Sequence, residues 1–184
     1  MMNIPSESEC LEIMRRYEMR ENIFRHSLQV MKVSMALVDN LKPGAMLQAD
    51  LVVAGALLHD IAKTRTLQTK EPRHDLIGAA MLRELGYEEV AQIVESHVVF
   101  NDFQPRGRLE EREIVFYADK RVMHDRVVSL DERISDLVER YGINERVSRL
   151  IKENKELVLQ IESKIQSFLL GHIDELVTAI AVDK

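Results

Sequence analysis

Cysteine is nearly missing from this chain. Cys10 stands alone, so no disulfide can form within the chain and thiol-based zinc knuckles are excluded. Such usage is expected of a reducing, cytoplasmic setting. Tryptophan is absent, and four Pro and seven Gly among 184 residues are too few for a turn-rich β architecture. No apolar run is long enough to span a bilayer. The opening MMNIPSESECLEIM lacks the basic start and apolar core expected of a signal peptide. Positive charge is outnumbered: 25 Lys and Arg against 31 Asp and Glu give a formal net charge of −6, which argues against binding along an extended nucleic-acid backbone, since that needs a basic face.

What is present favours helices. Leu, Ile, Val, Ala, Glu and Arg dominate, and 46% hydrophobic with 30% charged residues is the balance of one soluble globular domain. Ser6 with Glu9 predicts a capping box opening a helix to about Tyr17. A second helix is expected from about Asn22 to Leu41, with Leu28, Met31, Met35 and Val38 on one face, before KPGA breaks it. Asp50 is expected to cap LVVAGALLHD, which is apolar nearly all round and therefore central to an all-α core.

TRTLQTKEPR reads as a loop closed by Pro72, after which His74 or Asp75 starts a helix that Gly86 stops in a left-handed turn. EEVAQIVESHV is helical again, FNDFQPRGRL is a loop, and EEREIVFYADKRVM and LDERISDLVERYG are helices, the second stopped at Gly142. A long helix follows from Glu145 to about Leu170, with Val147, Leu150, Asn154, Leu157, Ile161 and Phe168 at three/four spacing and Lys164 interrupting them. It either packs on the domain or forms a homodimer contact. Residues 1–143 thus read as a compact all-α bundle and 144–184 as a helical extension.

Polar side chains emerge from the most apolar helices. AGALLHDIAK ends an apolar run in His59 and Asp60, which a loosened last helical turn can aim at one point. A buried unpaired Asp costs several kcal/mol (about 2–7 for even a neutral polar group), so it must be paired, protonated or bound to metal. Imidazole and carboxylate together suit a borderline divalent ion such as Fe, Mn or Zn. His26 in NIFRHSLQV lies upstream, and Asp119 in IVFYADKRV is again an acid within an apolar helical run.

In the order H…HD…D, and in the frames GALLHDIAK and FYADK, the chain resembles the HD superfamily of metal-dependent phosphohydrolases over about residues 22–141. That resemblance implies an all-α fold and a first metal held by His26, His59, Asp60 and Asp119. His74 in PRHDLIGAAML and His97 in IVESHVVF occupy the positions where dinuclear members, the symmetrical dinucleoside tetraphosphatases among them, carry two further histidines. It therefore implies a second ion, bridged to the first by Asp60. Ala62 replaces the Gly of the HDIG pattern, and no GYP signature follows His97. Two such cations would lower the pKa of a water and take a phosphoryl oxygen.

Lys63 shares a side of the helix end with Asp60, so a catalytic or phosphate-binding role is expected of it. Arg73 and Arg106, on the loops beside the histidines, and Lys120, next to Asp119, are expected to grip phosphate. His124 and His172 have no comparable context. The expected activity is hydrolysis of a phosphate ester or anhydride of a small nucleotide, a dinucleoside polyphosphate being the narrower expectation. The alternatives are a one-metal nucleoside monophosphate phosphatase and a non-catalytic nucleotide sensor.

Overall fold

A computed structural model describes residues 3–142 and 144–180. The boundary expected after residue 143 therefore falls on a residue outside the described ones. The elements run α1 (Glu7–Arg16), α2 (Glu21–Val38), α3 (Ala49–Leu58), α4 (Lys63–Thr69), α5 (His74–Glu84), α6 (Glu88–Ser96) and α7 (Glu111–Lys120). A two-stranded hairpin of β1 (Val122–Met123) and β2 (Arg126–Val127) follows, then α8 (Leu130–Tyr141), α9 (Glu145–Phe168) and α10 (Ile173–Ala179). The fold is all-α, and the hairpin is a minor insertion.

Helix α3 is the hub. It packs against α1, α2, α6 and α7, and seven of its ten residues are buried. Its small residues permit this. Gly55 faces Ile93 of α6 so closely that a Cβ placed there would lie 2.8 Å from that side chain. Glycine at this position is what lets the two helices approach. The capping box on α1 forms as the pattern predicts: Ser6 N–H donates to Glu9 Oε2 at 2.8 Å, and Glu9 N–H donates to Ser6 Oγ at 3.3 Å. Gly86 takes φ +84° after α5, the left-handed stop expected of it.

Three local expectations change. Gln48, not Asp50, precedes α3, and Asp50 sits in its first turn, where a carboxylate still favours the helix dipole. TRTLQTKEPR is largely helix α4. Its threonines turn their hydroxyls back onto the chain, Thr66 to Lys63 O and Thr69 to Arg65 O, while Thr64 Oγ1 accepts from Arg20 N–H at the start of α2. Tertiary contact therefore outweighs weak local propensity. The helix expected to reach Met123 stops at Lys120, because Arg121 is anchored sideways through Nε–H to Val128 O and the chain turns into the hairpin. Gly142 ends α8 as expected, at φ −73°.

The C-terminal limb is tied to the bundle. Val158, Ile161 and Ile165 of α9 are fully buried against the core, α10 packs on α2, and Leu41 pairs with Leu169. Lys164, which interrupts the apolar stripe, donates to Glu113 of α7 at 2.6 Å with both side chains at most 2% exposed. Arg121 meets Tyr117 Oη at 2.6 Å and Asp174 at 2.8 Å, joining α7 to α10. No helix among the described residues is long and apolar enough to cross a membrane.

Candidate metal centre

Five elements deliver polar groups to one end of the bundle. His26 comes from α2, His59 and Asp60 from the turn closing α3, and His74 from the first position of α5; His97 comes from the residue after α6 and Asp119 from the last turn of α7. The end of α3 loosens as required, with Ile61 N–H bonding back to Leu58 O and Lys63 N–H to Asp60 O. Neighbouring imidazoles form a row, their centroids 5.3 Å apart for His26 and His59, 5.1 Å for His59 and His97, and 5.1 Å for His97 and His74.

Backbone carbonyls set the tautomers. His26 Nδ1 donates to His124 O at 2.8 Å, His59 Nδ1 to Ala56 O at 2.8 Å, and His97 Nδ1 to Val94 O at 2.6 Å. A carbonyl accepts only, so each ring, when neutral, keeps its proton on Nδ1 and presents a bare Nε2 to the centre. This is the second-sphere arrangement that orients metal-ligating histidines. His124 thus contributes through its backbone oxygen, at φ +57° in the hairpin turn, and its imidazole lies against Arg140.

The donors fall into two overlapping sets. His26, His59 and Asp60 each bring a ligand atom within 4.8 Å of the others, and so do Asp60, His74 and His97, with Asp60 common to both. Asp119 Oδ1 lies 2.9 Å from His26 Nε2 and 3.8 Å from His59 Nε2, beside the first set. Two observations fit these residues to cations. The buried His59 Nε2 and Asp60 Oδ1 have no hydrogen-bond partner among the described residues, although His74 Nε2 is 3.1 Å from that oxygen. Leaving such groups unsatisfied is expensive. In addition, His74 Nε2 and His97 Nε2 are 3.1 Å apart. Nitrogen ligands about 2.0–2.1 Å from one ion sit at roughly that separation, whereas bare nitrogens alone would repel.

Electrostatics point the same way. Burial pushes the Asp60 carboxyl up, but Lys63 and His59 outweigh it and hold it well below the usual carboxylate range. Asp119 behaves alike: burial is outweighed by Lys120, His26 and His59. Burial pulls His59 down, yet Asp60 and then Asp119 raise it above an ordinary histidine, so these carboxylates draw positive charge to their centre. Burial keeps His97 below the ordinary value, which leaves its ring neutral.

The centre floors a cavity of about 720 Å³ lined by Asp60, His74, His97 and Asp119. Lys63 and Lys120 line it too, with Lys63 Nζ 2.7 Å from Asp60 Oδ2 and Lys120 Nζ 2.6 Å from Asp119 Oδ2. The other two expected phosphate-gripping residues are not in the lining. Arg73 turns onto the buried carboxylate of Asp75, donating through Nε and Nη2 at 2.7–3.2 Å, and Arg106 is exposed on the 100–110 loop. Asp75, one residue from His74, explains why that arginine turns away. Arg133 of α8, which no motif in the sequence marks, lines the cavity 4.0 Å from Asp119. His172 caps α10, remote from the centre.

The HD domain family matches residues 23–124. A tRNA (cytidine(56)-2'-O)-methyltransferase of Picrophilus torridus is 30% identical over 167 residues, covering 84% of this chain and 47% of its own length. The protein of the same name from Thermoplasma volcanium is 29% identical with the same coverage. An uncharacterized protein of Methanocaldococcus jannaschii is 32% identical over 152 residues, 74% of this chain and 88% of its own. The chain spans about half the length of the methyltransferases it matches. No solved structure matches it. Its matched segment contains every residue of the histidine and aspartate cluster, and the chain belongs to the HD domain family, whose members are generally metal-dependent hydrolases.

Proposed function

We propose that the chain is a metal-dependent phosphohydrolase that cleaves a phosphate ester or anhydride of a small nucleotide at a dinuclear centre. The observation that carries this reading is Asp60: one buried carboxylate shared by two sets of histidine donors, at the floor of an open cavity. His26, His59, Asp60 and Asp119 would hold one divalent ion, and Asp60, His74 and His97 the other. Bound there, the ions would supply Lewis acidity toward a phosphoryl oxygen and a lowered pKa for a water.

The remaining chemistry belongs to the chain's own groups. Lys63 and Lys120 keep Asp60 and Asp119 ionised, so both stay available as ligands across the neutral range. Backbone carbonyls prevent Nδ1 of His26, His59 and His97 from turning inward. Lys63, 29% exposed, faces the cavity and is placed to meet a phosphoryl oxygen. The apolar shell of α3, α6 and α7 holds these donors rigidly, which lowers the cost of organising the reacting state.

The tRNA in the methyltransferases' name is not carried over to this chain, because a net charge of −6 opposes the counterion release on which binding to an RNA backbone depends. Metal analysis of gently purified protein tests the reading, together with phosphate release from a nucleotide panel. The expected content is two ions per chain, falling to one when His74→Ala and His97→Ala are combined, with hydrolysis lost in His59→Ala. One ion in both proteins would move nucleoside monophosphates to the front. No bound ion after incubation with Fe, Mn or Zn would overturn the proposal.

A further inference from the structure

The cavity has a floor and walls of opposite character. Its floor is the cluster of histidines and aspartates. One wall comes from outside the segment matched by the HD family, from α8 and the first half of α9. There Leu137, Leu150, Ile151 and Leu157 present aliphatic side chains, and Leu67 and Val99 face the same space from α4 and the segment after α6. Leu67, Leu150 and Val99 are 57%, 53% and 43% exposed, a concentration of exposed aliphatic surface around one opening.

The charges in the lining are already engaged. Lys63 meets Asp60, Lys120 meets Asp119, and Arg133 gives Nη1 to Asp136 at 3.0 Å. Glu71 and Glu153 add two further carboxylates to the lining, away from the floor. A chain of several phosphates needs cations along its length, and this wall offers leucine, isoleucine and glutamate instead. A single phosphoryl group needs cations only at the floor. Arg133 is suited to it there: its Nη2 is 4.0 Å from Asp119, and its buried Nε–H has no partner among the described residues.

Resting on the phosphohydrolase reading above, we propose that α8 and the first half of α9 form the specificity element of the site, selecting a substrate with one phosphoryl group on a neutral, largely apolar body. Arg133 donates to a phosphoryl oxygen, and the aliphatic face of α9 covers the body. The dinucleoside polyphosphate expected from the sequence is disfavoured, since its bridging phosphates would lie along the apolar wall. This element selects among phosphate esters and has no part in bond breaking.

Calorimetric titration of the Mn-loaded protein with inorganic phosphate and with 1-naphthylphosphonate, a non-hydrolysable mimic of the ester, separates the two contributions. The wild type is expected to bind the naphthyl phosphonate at least about tenfold more tightly than phosphate. Leu150→Glu and Leu67→Glu, at exposed positions that leave folding intact, should abolish that preference while keeping the affinity for phosphate. Arg133→Gln should weaken both ligands by about tenfold or more.

Equal affinity of the wild type for both ligands, or a preference that survives both glutamate variants, would overturn the inference and leave the hydrolase reading standing. So would faster turnover, as kcat/KM, of diadenosine tetraphosphate than of 1-naphthyl phosphate. A wild-type dimer split by Leu150→Glu with the naphthyl preference retained would assign the apolar wall to a second copy instead. If the wild type binds neither phosphate nor metal, the hydrolase reading itself fails and this inference with it.

Discussion

The Glu113–Lys164 pair offers a sharp test of how the C-terminal limb is held. The two side chains meet at 2.6 Å and are 1% and 2% exposed, with Lys164 also 5.4 Å above the Phe103 ring. Glu113 has a second duty, since its Oε2 accepts from Glu110 N–H at 3.0 Å and closes the capping box of α7. Removing only the lysine, as in Lys164→Met, leaves a carboxylate buried without its cation, at a cost of about 3–5 kcal/mol. For a chain of this length that lowers Tm by roughly 10 °C. Glu113→Gln combined with Lys164→Met retains the cap and removes both charges, so most of the loss should return.

The pH dependence of this pair has a definite sign. Burial raises the Glu113 carboxyl above its ordinary value even with Lys164 beside it, and without the lysine it rises further. A carboxyl raised in the folded state loses stability as pH climbs above its unfolded value of about 4.3. The deficit of Lys164→Met should therefore be smaller at pH 5 than at pH 8, where the protein must either bury the charge or hold a proton. Thermal unfolding of the four proteins of the cycle at both pH values checks this. A Lys164→Met Tm equal to wild type at pH 8, or a double variant no better than the worse single, would refute the reasoning.

Other outcomes follow from the same structure. Gly55→Leu should cost about 1–3 kcal/mol by overpacking against Ile93, and should also weaken metal binding because it pries α3 from α6 and so His59 from His97; denaturant melts and metal titration read both effects. Cys10 is fully buried and its thiol is pushed up to about 12, mainly by burial, so native protein should resist a thiol reagent at pH 8 and react only as fast as it opens. In metal-free protein, Asp60 and Asp119 are held below their unfolded value of about 3.9, so their stabilisation is present above that pH and lost as pH falls through the folded values. Unfolding followed by circular dichroism between pH 6 and 2 should show this loss, and Lys63→Met should move its onset to higher pH.

Much of the architecture was legible one residue at a time. Ser6 with Glu9, Gly86 and the unbroken apolarity of residues 51–58 each carry a local instruction, because capping and the left-handed turn depend on neighbours a few positions away. The candidate ligands were legible for a related reason. A histidine or aspartate inside an apolar helix is costly enough that its presence needs a cause, and His59 and Asp119 each stand in such a run, while His26 lies on the buried face of the amphipathic α2.

What the chain order does not encode is which distant groups meet. Arg73 reads as a phosphate-binding residue until the fold sets Asp75 in its path, and Arg133 carries no motif until α8 lays it beside Asp119. Lys164 reads as a break in an apolar stripe, and only Glu113, fifty-one positions away, turns it into a buried ion pair. His124 looks incidental by its side chain, yet its carbonyl fixes the tautomer of His26. Local pattern determined the helices and the ligand types, because those energies act within a turn or two. Partnership, tautomer and the apolar wall of the cavity were decided by tertiary packing, because electrostatic and hydrogen-bond energies depend on distances that only the folded chain sets.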